Sequence, residues 1–153
     1  MAVGPFNTHH TGFLDLLSSA TDWGTTAYYA VLATTTNAPD RATWVDYQDI
    51  INEHGATGNY DQVALAFTGG SAVVDGTSIL LKCDKITFGA DTTITARYLY
   101  ILKGTAASPA TGDLILGHVD LDGAGNVSSV NAEFSFTPNA ANGLFKISQS
   151  AAA

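Results

Sequence analysis

The segment at residues 93–103 constrains the fold most, because both of its faces are apolar. Tyr98 and Tyr100 lie on one face of this segment, and Leu99 and Ile101 lie on the other. Alternation with a period of two is typical of a β-strand. A strand with two apolar faces has to be covered on both sides. The sequence therefore predicts a central strand that is buried between two layers.

Other strand-like runs, rich in β-branched and aromatic residues, lie on either side of this segment. They are residues 27–33, 62–67, 78–83, 85–88, 114–121, 127–136 and 144–147. Turn-forming pairs such as Asp75-Gly76 separate them. Residues 113–122 and 126–136 are predicted to be the two arms of one hairpin. This succession predicts a mainly β fold, an antiparallel β-sandwich or jelly-roll-like domain, rather than an α/β fold.

One short amphipathic helix is predicted after Pro39. Thr43 and Asp46 have the spacing of a capping box, in which a hydroxyl and a carboxylate each accept a backbone N–H at the start of a helix. Gly55 is placed to end the helix in a left-handed conformation. The apolar side chains that would share its buried face are Trp44, Tyr47, Ile50 and Ile51. We expect this helix to pack on the strands.

The first 22 residues lack the periodicity of the rest of the chain. Gly4-Pro5 and Gly12 interrupt any pattern there, although residues 13–17 could form one or two helical turns. The predicted parts of the chain are an N-terminal arm at residues 1–22, a β-sandwich domain at residues 23–148 and a flexible C-terminal tail at residues 149–153.

The predicted arm carries large apolar side chains outside the periodic core. They are Phe6, Phe13, Leu14 and Leu17. An ordered arm must bury such side chains against something. These four residues are therefore the predicted partner-binding residues. The alternative is that they fold back onto the domain of their own chain.

The charge balance restricts the partners. The 153 residues include 14 Asp and Glu but only 6 Lys and Arg, which gives a net charge of −8. So few cations cannot form the basic stripe that nucleic acids require, or bind an anionic membrane. No apolar run reaches the roughly 18–20 residues of a membrane helix, and the first residues lack the pattern of a signal peptide. We expect neither a nucleic acid nor a membrane as a partner.

The segment Asp120-Leu-Asp122-Gly-Ala-Gly-Asn126 is the part of the sequence that most resembles a metal site. Carboxylates at alternate positions before a glycine occur in calcium loops. The match fails at Ala124, and at Asn131, where a calcium loop has a bidentate glutamate. A Gly-rich turn is therefore the favoured interpretation, and weak calcium binding by Asp120 and Asp122 is left open.

The histidines and the single cysteine suggest no catalytic site. Cys83 could be combined with His54 or His118 as a thiol nucleophile and its base. Because the run before Cys83 is apolar, a small buried residue is the better interpretation. His9 and His10 are predicted to lie in a solvated arm, and the histidines lack the paired helical spacing of a zinc site. We expect no metal and no cofactor.

The remaining candidates for catalysis are equally weak. Glu53 and Glu133 could act as a pair of hydrolytic carboxylates, but both are predicted to be solvated. Gly-rich phosphate-binding motifs are absent from the sequence, so we expect no enzyme. The aromatic residues could form the sugar-stacking platform of a carbohydrate-binding module, although core packing is commoner for aromatic residues within strands. They are Trp23, Tyr28, Tyr29, Trp44, Tyr60, Tyr98 and Tyr100.

A family resemblance emerges from the order of several segments between residues 25 and 147. These segments are Tyr28-Tyr-Ala-Val-Leu32, Pro39-Asp-Arg-Ala-Thr-Trp-Val-Asp-Tyr-Gln-Asp-Ile-Ile-Asn-Glu53, Gly58-Asn-Tyr-Asp-Gln62, Thr95-Ala-Arg-Tyr-Leu-Tyr-Ile-Leu102, Asp113-Leu-Ile-Leu-Gly-His-Val-Asp120, Phe134-Ser-Phe-Thr-Pro-Asn139 and Gly143-Leu-Phe-Lys-Ile147. In this order the chain resembles small structural proteins of tailed-bacteriophage virions, of the capsid decoration (cement) type. The predicted arm lies outside the resemblance.

The resemblance implies a structural function. Decoration proteins bind between major capsid subunits on the outer surface of the capsid and stabilise the phage head, often as β-rich trimers. The expected partners are therefore the major capsid protein and further copies of this chain. The acidic charge favours the outside of the shell, because packaged DNA would repel it. A neck, tail or head-fibre component is the alternative, and a carbohydrate-binding module is a more distant one.

Overall fold

A computed structural model of the chain describes residues 4–18, 27–34, 38–51, 53, 60, 65–67, 70–104 and 109–148. These residues form one α-helix, one 3₁₀ turn at Tyr47–Asp49 and twelve β-strands. The elements are β1 (Phe6–Thr8), α1 (His10–Ser18), β2 (Ala27–Ala33), β3 (Leu65–Phe67), β4 (Ser71–Asp75), β5 (Ser78–Lys82), β6 (Ile86–Thr87), β7 (Thr92–Ala96), β8 (Tyr98–Gly104), β9 (Leu114–Asp120), β10 (Val127–Ala132), β11 (Ser135–Phe136) and β12 (Phe145–Ser148). No helix among them is long and apolar enough to cross a membrane.

The main sheet has five antiparallel strands in the order β1-β9-β8-β2-β3. Its central strand β8 is buried on both faces from Tyr98 to Leu102, which confirms the prediction for this segment. The predicted strand at 93–103 is, however, divided at Arg97, where the chain passes from β7 in a smaller sheet to β8 in the main sheet. The N–H of Arg97 donates to the carbonyl of Ala33, at 2.8 Å, and holds this crossing point.

Three smaller sheets cover one face of the main sheet, in the orders β12-β5-β4, β10-β7 and β11-β6. Their apolar side chains pack against those of β2, β8 and β9 in one continuous cluster. Its large buried members include Tyr28, Leu32, Leu81, Ile86, Phe88, Ile94, Leu99, Ile101, Leu116 and Val119. The prediction of a mainly β, sandwich-like fold with antiparallel sheets is confirmed.

The segment at residues 44–50 covers the opposite face of the main sheet. Trp44, Tyr47 and Ile50 pack there against a second apolar cluster. Its buried members from the strands are Tyr29, Val31, Ala33, Tyr98, Tyr100, Leu102 and Ile115. Alternate side chains of β8 therefore contribute to two different cores: Tyr98, Tyr100 and Leu102 to this one, and Leu99 and Ile101 to the first.

The prediction of a helix from Thr43 to Gly55 is wrong in type and extent. The structure has a single 3₁₀ turn, and its cap is Asp46, whose carboxylate accepts the N–H of Gln48 at 2.9 Å. The N–H of Tyr47 donates to the carbonyl of Asp113, at 2.9 Å, so the backbone here pairs with β9 instead of continuing a helix. The predicted apolar face is confirmed for Trp44, Tyr47 and Ile50. Ile51 is 46% exposed, and Gly55 lies outside the described residues.

The predicted hairpin of residues 113–122 with 126–136 is also wrong. Strand β9 pairs with β1 and β8, whereas β10 pairs with β7 in the other layer. The burial explains the separation: five consecutive residues of β9, Ile115 to Val119, are buried, while no residue of β10 is more than partly buried. Strands β1 and β4 were not predicted. The turn at Asp75-Gly76 is confirmed, because Gly76, with φ of +58°, joins β4 to β5.

Candidate interaction surface on the N-terminal segment

The described part of the predicted arm, residues 4–18, forms the outer strand and a helix of the sandwich. Phe6, Asn7 and Thr8 pair with Val119, His118 and Gly117 of β9, respectively. The N–H of His9 continues the ladder by donating to the carbonyl of Leu116 at 3.0 Å. The helix then begins at His10.

Helix α1 lies close against β9. Gly12 makes this possible, because a Cβ at that position would meet the carbonyl oxygen of Ile115 and lie 2.7 Å from the Cα of Leu116. The Lys103 ammonium and the Asp15 carboxylate form an ion pair of 2.5 Å between β8 and the helix, and both side chains are largely shielded from solvent. The sheet side of α1 is therefore held by both packing and charge.

The outward side of α1 is apolar in its centre. His10, Leu14, Leu17 and Ser18 are exposed, with the spacing of one helix face. Leu14 is 64% and Leu17 62% exposed. Because their helix is anchored, these two leucines present an ordered apolar surface without ordering a flexible chain first.

The predicted partner-binding residues thus divide into two pairs. The rings of Phe6 and Phe13 contact Phe145 of β12, with ring centroids 5.6 and 5.9 Å apart, respectively. These two side chains fold back on their own domain, which was the alternative interpretation. Leu14 and Leu17 are the two that face outward. We call these two side chains the helix surface.

His9 was predicted to lie in a solvated arm, and this prediction is wrong. Its side chain is completely buried. Its Nδ1 lies 3.1 Å from the carbonyl oxygen of Trp44, and its Nε2 lies 3.1 Å from Nδ1 of His118. A carbonyl can only accept, so Nδ1 of His9 carries the proton, and Nδ1 of His118 donates to the free Nε2 of His9. His10, by contrast, is exposed.

Burial keeps this histidine pair neutral. Desolvation lowers the pKa of His9, although the Trp44 carbonyl favours its protonated form. Desolvation, together with the charges of His9 and Arg41, lowers the pKa of His118 to about 4, although Asp120 acts in the opposite direction. The rings of Tyr98 and Tyr100 contact that of His118. The pair therefore works as a structural link between β1, β9 and the segment that contains Trp44.

Sequence reasoning missed this pair because its members lie 109 residues apart. His9 has no local signal, because its neighbours Thr8 and His10 are polar. The nearest available clue was the pattern of β9, in which His118 is the sole ionisable residue between Leu114 and Val119. A histidine within such a buried strand needs a polar partner.

The suggested calcium loop is a turn stabilised by an ion pair. The Asp120 carboxylate lies 3.0 Å from Nη2 of Arg97 and accepts the N–H of Gly123 at 2.8 Å. These bonds engage the carboxylate of Asp120, one of the two carboxylates that were suggested as calcium ligands. In the part of the chain that the structure describes, no cluster of three or more His, Cys, Asp or Glu could hold a metal ion.

The suggested catalytic groups are not brought together. Cys83 packs beside the first apolar cluster, and desolvation raises its pKa to about 12, so its thiol does not form a nucleophilic thiolate. His118 is engaged with His9, and His54 lies outside the described residues. Glu133 is exposed and forms an ion pair of 2.6 Å with Lys85. Glu53 is half-buried rather than solvated, and accepts the Tyr47 hydroxyl at 2.8 Å.

The suggested sugar-stacking platform is used for packing instead. Tyr28, Tyr29, Tyr60, Tyr98 and Tyr100 are all buried. The ring of Trp44 stacks on that of Tyr100, with centroids 6.1 Å apart, and Trp23 lies outside the described residues. The faces of these five tyrosines are not available to a sugar ring.

A second exposed apolar surface, which the sequence analysis did not predict, lies on the β4–β5 hairpin. Every residue of β4 is exposed, Val74 to 77%, and Ile79 opposite Val74 is exposed as well. Ile147 of β12 lies beside Ile79 on the same face. We call Val74, Ile79 and Ile147 the hairpin surface. The β-branched pair Val73-Val74 directly before the turn at Asp75-Gly76 was the signal that could have identified β4.

Comparison with known proteins adds no relative to this description. No family model matches the sequence, and neither a curated protein nor a solved structure matches the chain.

Proposed function

We propose that this chain is a virion structural protein, a capsid decoration protein that binds between major capsid subunits on the outer surface of a phage head. The observation that carries the proposal is the helix surface, Leu14 and Leu17, on a helix that is rigidly anchored to a β-sandwich. An ordered, exposed apolar surface is typical of a protein that binds another protein. The resemblance of residues 25–147 to decoration proteins supports the same function.

The two exposed apolar surfaces fit the two kinds of contact that a decoration protein makes. The helix surface would contact the major capsid protein. The hairpin surface would contact further copies of this chain, in a homo-oligomer that we propose to be a trimer. Strand β4 is an outer strand of its sheet and carries no lysine or proline that would discourage association.

Copy number in purified virions tests this function most directly. Mass spectrometry would compare the amount of this chain with that of the major capsid protein in particles of the virus whose genome encodes it. We expect hundreds of copies, in a fixed ratio to the capsid protein. About a dozen copies would instead indicate a neck, tail or head-fibre component. Absence from the particles would refute a structural function.

Substitution of the two helix leucines tests the proposed contact. The double variant Leu14→Ser, Leu17→Ser should keep the stability of the fold within about 0.5 kcal/mol per substitution, because both side chains are exposed. Binding to capsids that lack the protein should fall at least about tenfold, since apolar anchors dominate such interfaces. Co-sedimentation would measure this binding.

Val130→Ser is the matched control, because Val130 is 70% exposed but lies on β10. Normal binding of the control together with weak binding of the double variant is the expected pair of results. Equal binding by both variants would show that α1 does not contact the capsid.

A further inference from the structure

A cleft of about 600 Å³ opens between the two layers of the sandwich. It is bordered by the beginning of β1, an outer strand of the main sheet, and by the beginning of β12, an outer strand of a smaller sheet. The aromatic rings of Phe6, Phe136 and Phe145 line it, and each of them is only partly buried. The volume lies in the range of ligand-binding clefts, and the lining combines these aromatic rings with polar groups.

Polar groups lie at one rim of this cleft, in the turn that leads into β12. The side-chain carbonyl of Asn139 accepts the N–H groups of Ala141 and Asn142, at 2.8 and 3.2 Å, and so fixes the turn. The exposed side chains of Asn142 and Lys146 also line the cleft. An amide and an ammonium group thus lie at the rim, near the aromatic rings that line the cleft.

The charge of the cleft is opposite to that of the protein. The chain carries 14 acidic residues, yet the residues that line the cleft include one lysine and no aspartate or glutamate. Lys85, Arg97 and Lys103 are neutralised by carboxylates at 2.6, 3.0 and 2.5 Å. Lys146 forms no such ion pair with any described residue. Lys146 therefore offers an anionic group a positive charge at this rim, with no acidic side chain among the residues that line the cleft.

We propose that this cleft binds an extended peptide segment of a partner protein, one that carries an apolar side chain and, two residues away, a carboxylate. In an extended segment these two side chains lie on the same face. The apolar side chain would occupy the space between the phenylalanine rings, and the carboxylate would pair with Lys146. The cleft is also bordered by outer strands of two sheets, and outer strands are where extended segments add in other proteins.

This proposal goes beyond the decoration function and does not depend on it. Neither leucine of the helix surface lines the cleft. Loss of peptide binding and loss of capsid binding can therefore be observed separately, in different variants.

The test uses the full chain and the peptide acetyl-Ala-Phe-Ala-Asp-Ala-amide. Amide chemical shifts of the protein would be followed during titration. We expect saturable shifts at residues 136–146, with a Kd of about 1 mM or below. The same peptide with Asn in place of Asp should bind about three- to fivefold more weakly, because it lacks a partly exposed ion pair with Lys146.

A charge variant locates the carboxylate. The variant Lys146→Gln should bind the Asp peptide more weakly by the same factor, and its affinity for the Asn peptide should be unchanged. Lys85→Gln is the matched control, because Lys85 is also an exposed lysine but does not line the cleft. It should leave both affinities unchanged.

Several results would overturn the proposal. These are the absence of saturable shifts up to about 5 mM peptide, equal binding of the Asp and Asn peptides, and shifts centred on α1 instead of the cleft. If 3-phenylpropionate binds as tightly as the peptide, the cleft recognises a small organic acid and the assignment to a peptide segment is wrong.

Discussion

The two faces of the five-stranded sheet are covered in different ways. On one face, the smaller sheets pack apolar side chains against Leu32, Leu99 and Ile101. On the other face, a segment with little regular structure covers the tyrosines, and the buried His9–His118 pair connects it to β1 and β9. We call these the apolar face and the histidine face.

The difference shows what each face requires of the sequence. The apolar face needs side chains of suitable volume, and many combinations of residues meet that requirement. The histidine face also needs specific donors and acceptors, because a buried imidazole without partners would be costly. Its stability should therefore depend on pH, whereas that of the apolar face should not.

Truncation in the apolar face should have the largest effect. Leu99 is fully buried between Leu32 and Val119 on the neighbouring strands. Leu99→Ala should lower the free energy of unfolding by about 2–5 kcal/mol, because it leaves a cavity in a two-layer core. Urea unfolding at pH 7 and at pH 5 would measure this loss. We expect a similar loss at both values, and a loss confined to pH 5 would remove the distinction between the faces.

Removal of the imidazole at His118 should change the pH dependence of stability. An unfolded histidine binds its proton near pH 6.5, and folded His118 binds it only near pH 4. The contribution of the neutral pair to the free energy of unfolding is thus fully present above about pH 6.5. A loss on the order of 3 kcal/mol follows as the pH falls to about 4. The lowered pKa of His9 acts in the same direction.

His118→Asn keeps a side-chain N–H donor but cannot titrate. Between pH 6.5 and pH 5, the free energy of unfolding of this variant should fall less steeply than that of the unmodified chain. The difference in slope should correspond to the uptake of up to about one proton fewer on unfolding. His10→Asn, on the exposed neighbour of His9, is the control. Carboxylates with a lowered pKa, such as Asp120, affect the free energy of unfolding only at a lower pH than this range. Parallel curves for His118→Asn and the unmodified chain would refute the acid sensitivity of this face.

Enlargement of Gly12 should have a smaller effect, centred on the link between α1 and the histidine face. A Cβ there would meet β9, so Gly12→Ala should cost about 1–3 kcal/mol and displace the helix. Hydrogen exchange should increase at His9 and in α1 before it increases in β8. If exchange rose equally in both, the helix would not be a separable unit.

The apolar face and its strands were largely predictable from the sequence. The run at 27–33 corresponds to β2, and the alternation along 98–102 correctly predicted a strand buried on both faces. Such patterns follow from local geometry, because neighbouring side chains of a strand point to opposite faces. The pairing of β9 with β1 rather than with β10 was not predictable in this way, since pairing depends on which faces must be covered.

The candidate interaction surface was predictable only in part. The apolar character of the N-terminal segment marked Phe6, Phe13, Leu14 and Leu17 as candidates, but sequence alone did not separate the inward pair from the outward pair. That separation depends on where α1 meets β9 and β12, through Gly12 and Phe145. The hairpin surface was missed because β4 was not predicted, and because its exposure depends on its position at the edge of a sheet.

The sequence by itself determined the mainly β class, the acidic surface and the double burial of β8, because composition and periodicity act over a few neighbouring residues. Tertiary structure alone decided that His9 is buried against His118, that Asp120 is bound by Arg97 and that two leucines of α1 face outward. Each of these contacts joins residues that are distant in the chain or depends on the path of a whole element. Their energies exist only after the strands have been brought together, so no local pattern encodes them.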